Sequence, residues 1–257
     1  MLSDGNLKKS TTSQKCSLEA AFANLSDPVC QAVGLFKKDF PDLNGFCNRM
    51  TDRYVHPEMQ PYVYITGGIT ANFLNKNTFA GDLDFWFNSV PPKDVIRKQY
   101  KFAKNVLVLT SQVDPTYDAM DQLNGRLEGG KKRSALTYFD QDNQIAVQFI
   151  LRFIMDPIEN VTRFDYQHVQ PWFDCASRQL NITNEQIYAI YFKNLIPTDQ
   201  ISSFSEQFIK QKLTSSLYKK SEEYQTYFKR YEKWTKRGYS FGGIKELELQ
   251  DSDNIPF

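Results

Sequence analysis

One short stretch limits what this chain can become. Pro61 leads into Tyr62-Val-Tyr-Ile-Thr66, a run of β formers that stops at Gly67-Gly68. Thirteen residues later Asp82-Leu-Asp-Phe-Trp-Phe87 is a second such run. The pattern predicts a strand, a glycine turn, a short helix over Ile69 to Leu74, and another strand. Alternate residues of a strand share a face, so Asp82 and Asp84 point one way, with Cα atoms about 6.6 Å apart, and Leu83 and Phe85 point to the core. Two carboxylates on one face can bridge a pair of Mg²⁺ ions, which in two-metal sites lie about 3.5–4 Å apart. A glycine pair that opens a helix lets backbone N–H groups approach a phosphate. One element would then hold a triphosphate and the other its metals.

The rest of the chain supplies a frame for these two elements. Ser17 to Tyr54 reads as short helices with breaks at Asp27-Pro28 and Phe40-Pro41. Lys93 to Lys104 has a helical period with Val95, Ile96, Tyr100 and Ala103 inward, and Val106 to Thr110 is a β-branched run. Residues 112 to 133 read as a long loop that ends in Lys131-Lys-Arg133. Ala135 to Phe139 and Ile145 to Ile150 flank the turn-forming Asp140-Gln-Asp-Asn-Gln144. Val169 to Ala176 reads as extended, Glu185 to Leu195 as a short helix or an apolar strand, and Ser205 to Lys236 as a long helix of aromatics among many Lys and Arg. The expected fold is α/β (α+β): a small mixed sheet of four or five strands flanked by helices, with an N-terminal helical segment and a long C-terminal helix. The divisions are a flexible arm (1–16), the helical segment (17–60), the core (61–180), a helical region (181–245) and a flexible tail (246–257).

Composition narrows the partners. Thirty-one basic residues against thirty acidic ones leave a formal charge of +1, so nonspecific coating of nucleic acid is excluded and any such contact must be local. The longest apolar stretches fall short of the roughly 18 residues of a membrane span, so no membrane partner is expected. The opening residues lack the apolar centre of a signal peptide. Cys16, Cys30, Cys47 and Cys175 lack metal-ligand spacing and disulfide density, which fits a reducing compartment without structural zinc.

The glycine pair followed by Asp-Leu-Asp-Phe resembles the signature of the DNA polymerase β-like nucleotidyltransferase superfamily, whose members include CCA-adding enzymes and poly(A) polymerases. The resemblance covers roughly Tyr62 to Trp172. Val147-Gln-Phe-Ile-Leu-Arg-Phe153 is similar to the strand that carries that family's third carboxylate, and Arg163-Phe-Asp-Tyr-Gln-His168 is similar to a motif of the CCA-adding branch. The C-terminal helix is similar to that of nucleotidyltransferase-like proteins of phages and large viruses, which implies the cytoplasm, that of the host for a viral protein.

The resemblance implies transfer of a nucleoside monophosphate from an NTP to an acceptor hydroxyl on RNA, protein or a small molecule, with Mg²⁺ or Mn²⁺ as cofactor. It makes Asp82 and Asp84 catalytic metal ligands and Gly67, Gly68 and Thr70 nucleotide contacts. Arg152 joins them because it shares a strand face with Gln148. At the third-carboxylate position stands Gln148, an amide without negative charge. Asp140, Asp142 or Asp165 is left to stand in, and Asp165 is favoured by its neighbours Arg163 and His168. After Gly68 the chain has Ala71-Asn72 where the CCA-adding branch has Arg-Asp, which argues against a tRNA-finishing role. The rival expectation is a catalytically degenerate relative, a nucleotide-binding or interaction module in a viral assembly. Oligomeric state leaves no mark on the sequence.

Each motif also has a plainer reading. A Gly-Gly pair is commonly only a turn, an Asp-x-Asp only a solvated strand end, and Lys131-Lys-Arg133 only a solvated loop. An aromatic helix face usually packs on a core, His56 reads as a loop residue, and His168 reads as a hydrogen-bonded structural residue.

Overall fold

The computed structural model describes residues 27–75, 82–109, 135–198 and 222–243. The expectations for the arm, for Ser17 to Ser26, for Lys131-Lys-Arg133, for Ser205 to Ser221 and for the tail lie outside the described residues. Helices α1 (Pro28–Tyr54), α2 (Ile69–Leu74), α3 (Lys93–Ala103), α4 (Pro157–Val161), α5 (Asn184–Tyr191) and α6 (Glu222–Thr235) surround seven strands. These are β1 (Val63–Thr66), β2 (Leu83–Phe87), β3 (Val108–Leu109), β4 (Ala135–Asp140), β5 (Ile145–Ile154), β6 (Trp172–Asp174) and β7 (Gln179–Asn181). They form one mixed sheet in the order β3-β4-β5-β2-β1-β6-β7. The pair β2–β5 is parallel and the other five are antiparallel.

The sheet is wider than the four or five strands expected, because β6 and β7 extend it beyond β1. Val169 to Ala176 is not one extended piece: a 3₁₀ turn at Gln167–Val169 precedes the three residues of β6. Residues 184–191 are helical, opened by a capping box between Thr183 and Gln186. The N-terminal segment corrects a second expectation, since α1 runs unbroken through Pro41. Pro41 and Lys37, four residues before it, are both exposed, so the carbonyl that the proline leaves unbonded can take water. Asp27 caps the helix by accepting from the Val29 amide at 2.9 Å.

One face of the sheet is the core. Leu83, Phe85 and Phe87 of β2 lie beside Val147 and Phe149 of β5 and Val63 and Ile65 of β1, all buried. The second half of α1 covers them with Leu43, Phe46, Cys47, Met50 and Tyr54, an i, i+3, i+4, i+7, i+11 series. Tyr54 meets Phe85 edge-on, with ring centroids 6.5 Å apart. Gln99, buried on α3, donates to the Tyr54 carbonyl at 2.7 Å and accepts from the His56 amide at 2.7 Å, which ties α3 to the end of α1. Among the described residues Cys30, Cys47 and Cys175 form no disulfide with one another, and no helix is long and apolar enough to cross a membrane.

Asp140 sits where the β4–β5 hairpin meets α1. Its carboxylate has no solvent exposure and accepts from Arg53 Nε at 2.6 Å, Tyr54 Oη at 2.7 Å and Asn143 Nδ2 at 2.8 Å. It also accepts from the Asp142 amide at 2.9 Å, so one buried charge shapes the hairpin turn and joins it to the helix.

Candidate functional site

Strand pairing sets a polar row across the other face. Thr137 of β4 is the register partner of Gln148 of β5, Gln148 of Asp84 of β2, Asp84 of Thr66 of β1, and Thr66 of Trp172 of β6. Register partners share a face, so Gln148 stands next to Asp84 on the side away from the core. Thr66 is already engaged, since its hydroxyl donates to the Pro171 carbonyl at 2.9 Å.

Asp84 is the strained member of the row. Its Oδ1 is buried and, among the described residues, has no hydrogen-bond partner. A Cβ on Gly67 would lie 3.3 Å from Asp84 Oδ2, and Gly67 has φ +97°, so this position needs glycine for backbone and for space. Burial pushes the Asp84 carboxyl up to about 7, the neighbouring Asp82 adds to the rise, and Lys233 partly offsets it. Asp82 is exposed, immediately before β2 begins.

The second glycine faces a different neighbour. A Cβ on Gly68 would lie 3.1 Å from Trp234 Cη2, so the indole of α6 rests against the turn between β1 and α2. Thr70 is buried within α2. Arg230, Lys233 and Trp234 recur at i, i+3 and i+4, the spacing of one face of α6, and Arg237 follows in the turn after the helix. Three of them are anchors. Arg230 pairs with Asp165. Trp234 packs on Gly68, and Arg237 Nη1 donates to Asn72 Oδ1 at 2.9 Å while its guanidinium lies 4.8 Å from the Trp234 ring centroid. Burial lowers the Lys233 pKa, as do Arg237 and Arg230, whereas Asp82 and Asp84 raise it.

Sequence-predicted residues thus fall into two groups. Gly67, Asp82, Asp84 and Gln148 come together at the ends of β1 and β2. Asp165 stands apart from them: burial raises its pKa, Arg230 opposes the rise, and its carboxylate is paired with Arg230. Its expected neighbour Arg163 binds Glu159 Oε1 instead, at 2.6 Å on the exposed side of α4. Asp140 is likewise committed, opposite Ile145 and three residues along β5 from Gln148, and Asp142 pairs with Arg53 at 2.8 Å. Arg152 lies on β5, and its side chain is outside the described residues.

No protein-family model matches the chain, and no curated protein matches its sequence. Two solved structures do resemble it. The chain is weakly similar to CCA-adding enzymes. One is the Thermotoga maritima CCA-adding enzyme complexed with tRNA, at 10% identity, with 66% of this chain and 36% of that one covered and a TM-score of 0.38. The other is the Bacillus stearothermophilus CCA-adding enzyme in complex with CTP, at 12% identity, with 67% and 35% covered and a TM-score of 0.35. The chain spans about a third of the length of these structures.

Lys233, Trp234 and Arg237 are the neighbours of the carboxylates that motif reading passed over. Their signal was the i, i+3, i+4 series from Arg230 at the end of a basic helix, which gives a face but not its partner. His168 also departs from expectation, since it is buried with both ring nitrogens lacking a hydrogen-bond partner among the described residues. It sits in an aromatic cage, stacked on Tyr239 and edge-on to Trp234 with centroids 4.2 Å away in each case. Burial, with Arg237 adding to it, pushes the imidazole down to about 3.

A folded-state pKa below the unfolded 6.5 means the unfolded chain binds the extra proton. Stability is therefore complete above pH 6.5 and declines as the pH falls toward 3, by roughly 3 kcal/mol at pH 4. His168→Phe is expected to remove that part of the acid limb and to leave stability at pH 7.5 unchanged or about 1 kcal/mol higher, because no unpartnered nitrogen remains. Chemical denaturation across pH 4–8 checks it, and an unchanged acid limb sinks the assignment.

Proposed function

We propose that this protein is a metal-dependent nucleotidyltransferase that moves a nucleoside monophosphate from an NTP to the hydroxyl of an RNA, protein or small-molecule acceptor. The observation that carries the reading is Asp84, a half-buried carboxylate whose Oδ1 is buried without a hydrogen-bond partner among the described residues, placed against a positive-φ glycine and beside a second acid. Stability alone does not favour such an arrangement, and perturbed carboxylates of this kind cluster at functional sites.

The donor set suits a hard divalent cation. Asp84 Oδ1 has no hydrogen-bond partner among the described residues, Asp82 lies two residues before it, and Gln148 offers an amide oxygen from the neighbouring strand. Mg²⁺ or Mn²⁺ would be held there by the two carboxylates and completed by substrate phosphates. When bound, such an ion neutralises phosphate charge and orients the leaving group. Lys233 and Arg237 add positive charge beside the carboxylates, where a triphosphate would lie. Gly67, without a side chain, leaves its backbone open to approach. Asp165 holds α6 through Arg230, which keeps Lys233 facing the site. In the transfer, the acceptor hydroxyl gives its proton to solvent as its oxygen bonds to the α-phosphorus, the bond from that phosphorus to the β-bridging oxygen breaks, and pyrophosphate leaves with the electron pair.

A second reading rests on Trp234 and Gln148. The indole closes over Gly68, and the amide removes a negative charge, as suits a nucleotide-binding or interaction module without turnover, for instance within a viral assembly. Incubation with each labelled NTP, Mg²⁺ or Mn²⁺, and RNA, protein and small-molecule acceptors separates the two. Label transferred by the wild type and lost in Asp82→Ala/Asp84→Ala is the expected result. Nucleotide bound but never transferred to any acceptor would establish the second reading.

A further inference from the structure

We propose that Trp86, with Phe164 beside it, is the platform that takes the nucleobase of the NTP. The inference rests on the metal-dependent reading above and names the part of the substrate that the sheet itself meets. Trp86 is two residues beyond Asp84 on β2, so the two share a face and their Cα atoms lie about 6.6 Å apart. Each carries an unmet polar atom. Asp84 Oδ1 and the Trp86 indole N–H are both buried, and neither has a hydrogen-bond partner among the described residues. The first is an acceptor that a cation can satisfy. The second is a donor, and a buried indole N–H ordinarily finds an acceptor.

The neighbours of Trp86 do not supply one. Its register partners are Tyr64 and Ile150, and the Tyr64 hydroxyl already accepts from Asn160 Nδ2 at 2.8 Å. Phe164 lies with its ring centroid 5.8 Å from that of the indole at 54°, and both residues are half-buried. The turn that carries Phe164 is fixed, since its carbonyl accepts from Thr198 Oγ1 and its amide donates to the Val161 carbonyl at 3.1 Å. Pairing of β2 with β5 slips just past Trp86: Trp86 faces Ile150, Phe87 faces Ile154, and residues 151–153 have no partner on β2. Breaks of this kind re-aim neighbouring side chains and recur beside active sites.

The ligand chemistry follows from the pair of unmet atoms. A flat ring with an acceptor on its edge can lie against the aromatic pair and accept from the indole N–H, and every nucleobase has both features. The ribose then bridges to an α-phosphate oriented by the ion at Asp84, one step away on the same face. A neutral donor and two apolar rings add nothing to the hold on the triphosphate, so the base and phosphate contributions separate.

Calorimetric titration of the full-length protein in Mg²⁺ with ATP, GTP, CTP, UTP and inorganic tripolyphosphate tests this without reference to turnover. Trp86→Leu is expected to weaken every NTP by about tenfold or more and to leave tripolyphosphate unchanged to about twofold. Trp86→Phe, which keeps a ring and loses the N–H, is expected to weaken the NTPs about fivefold, again without effect on tripolyphosphate. Thermal melts without nucleotide establish that each variant is folded, and Trp86→Phe carries the test where Trp86→Leu is not. Unchanged NTP affinity in the folded variants, or an equal loss for tripolyphosphate, overturns the inference and leaves the metal-dependent reading intact. A wild type that binds neither NTP nor tripolyphosphate overturns that reading and this inference with it.

Discussion

Asp84→Asn is expected to melt roughly 5–10 °C above the wild type at pH 8 in EDTA and to lose nucleotidyl transfer by about a hundredfold or more. The carboxyl stands at about 7 in the folded protein, raised first by burial and then by Asp82. The unfolded value is near 3.8. A raised carboxyl binds its proton more tightly folded than unfolded, so its ionisation costs nothing below pH 3.8, costs progressively more up to 7, and costs its full amount above that. The full amount is about 4 kcal/mol as an upper bound. Asparagine keeps the shape and removes the charge. Its stabilising effect should be complete at pH 8, reduced at pH 5 and absent by pH 4, which melts at the three pH values measure. Should the variant melt no higher than wild type at pH 8, the carboxylate has a partner in the folded state and is not held at a cost.

Asp140→Ala is expected to lose about 3–5 kcal/mol of stability, since one partner of a buried charged network is removed and the others are left facing a void. Arg53 would be left with Asp142 alone as acceptor, and Tyr54, fully buried, would keep a hydroxyl without its carboxylate. Burial alone would raise the Asp140 pKa, but donors from Arg53, Tyr54 and Asn143 outweigh it and hold the carboxyl well below the usual range. A depressed pKa contributes stability that is present above the unfolded value of 3.8 and is lost as the pH falls through the folded one. Urea denaturation of Asp140→Ala and Asp140→Asn at pH 7 and at about pH 2, below the unfolded value, checks both parts. The difference between wild type and Asp140→Asn should shrink at the lower pH, and a loss below 1 kcal/mol for the alanine variant would show that the hairpin stays joined to α1 by its other contacts alone.

Asp140 also shows how a residue can be visible in the sequence yet misjudged. Its position in a turn between two strand patterns was legible, and that same position made it a candidate for the absent third carboxylate. The long-range partners Arg53 and Tyr54 lie more than eighty residues away and give it a holding role instead. Asp165 follows the same course, with Arg230 as the distant partner and Arg163 turned away to Glu159. Pro41 errs in the other direction: a local breaker signal was overridden because its exposed side can be solvated.

What the sequence determined by itself is the unit from Val63 to Phe87 and the β4–β5 hairpin. Their signals are local, a period of two, a glycine turn and a cluster of turn formers, and these select a backbone path within a dozen residues. The tertiary structure decided which side chains surround Asp84. Pairing of β2 with β5 placed Gln148 beside it across more than sixty residues of chain, and docking of α6 set Trp234 against Gly68 and Arg237 on Asn72, next to the turn that touches it. A helical period announces that a face exists, and only packing chooses what that face meets, because burial of apolar surface is favourable against any complementary partner and carries no address in the sequence.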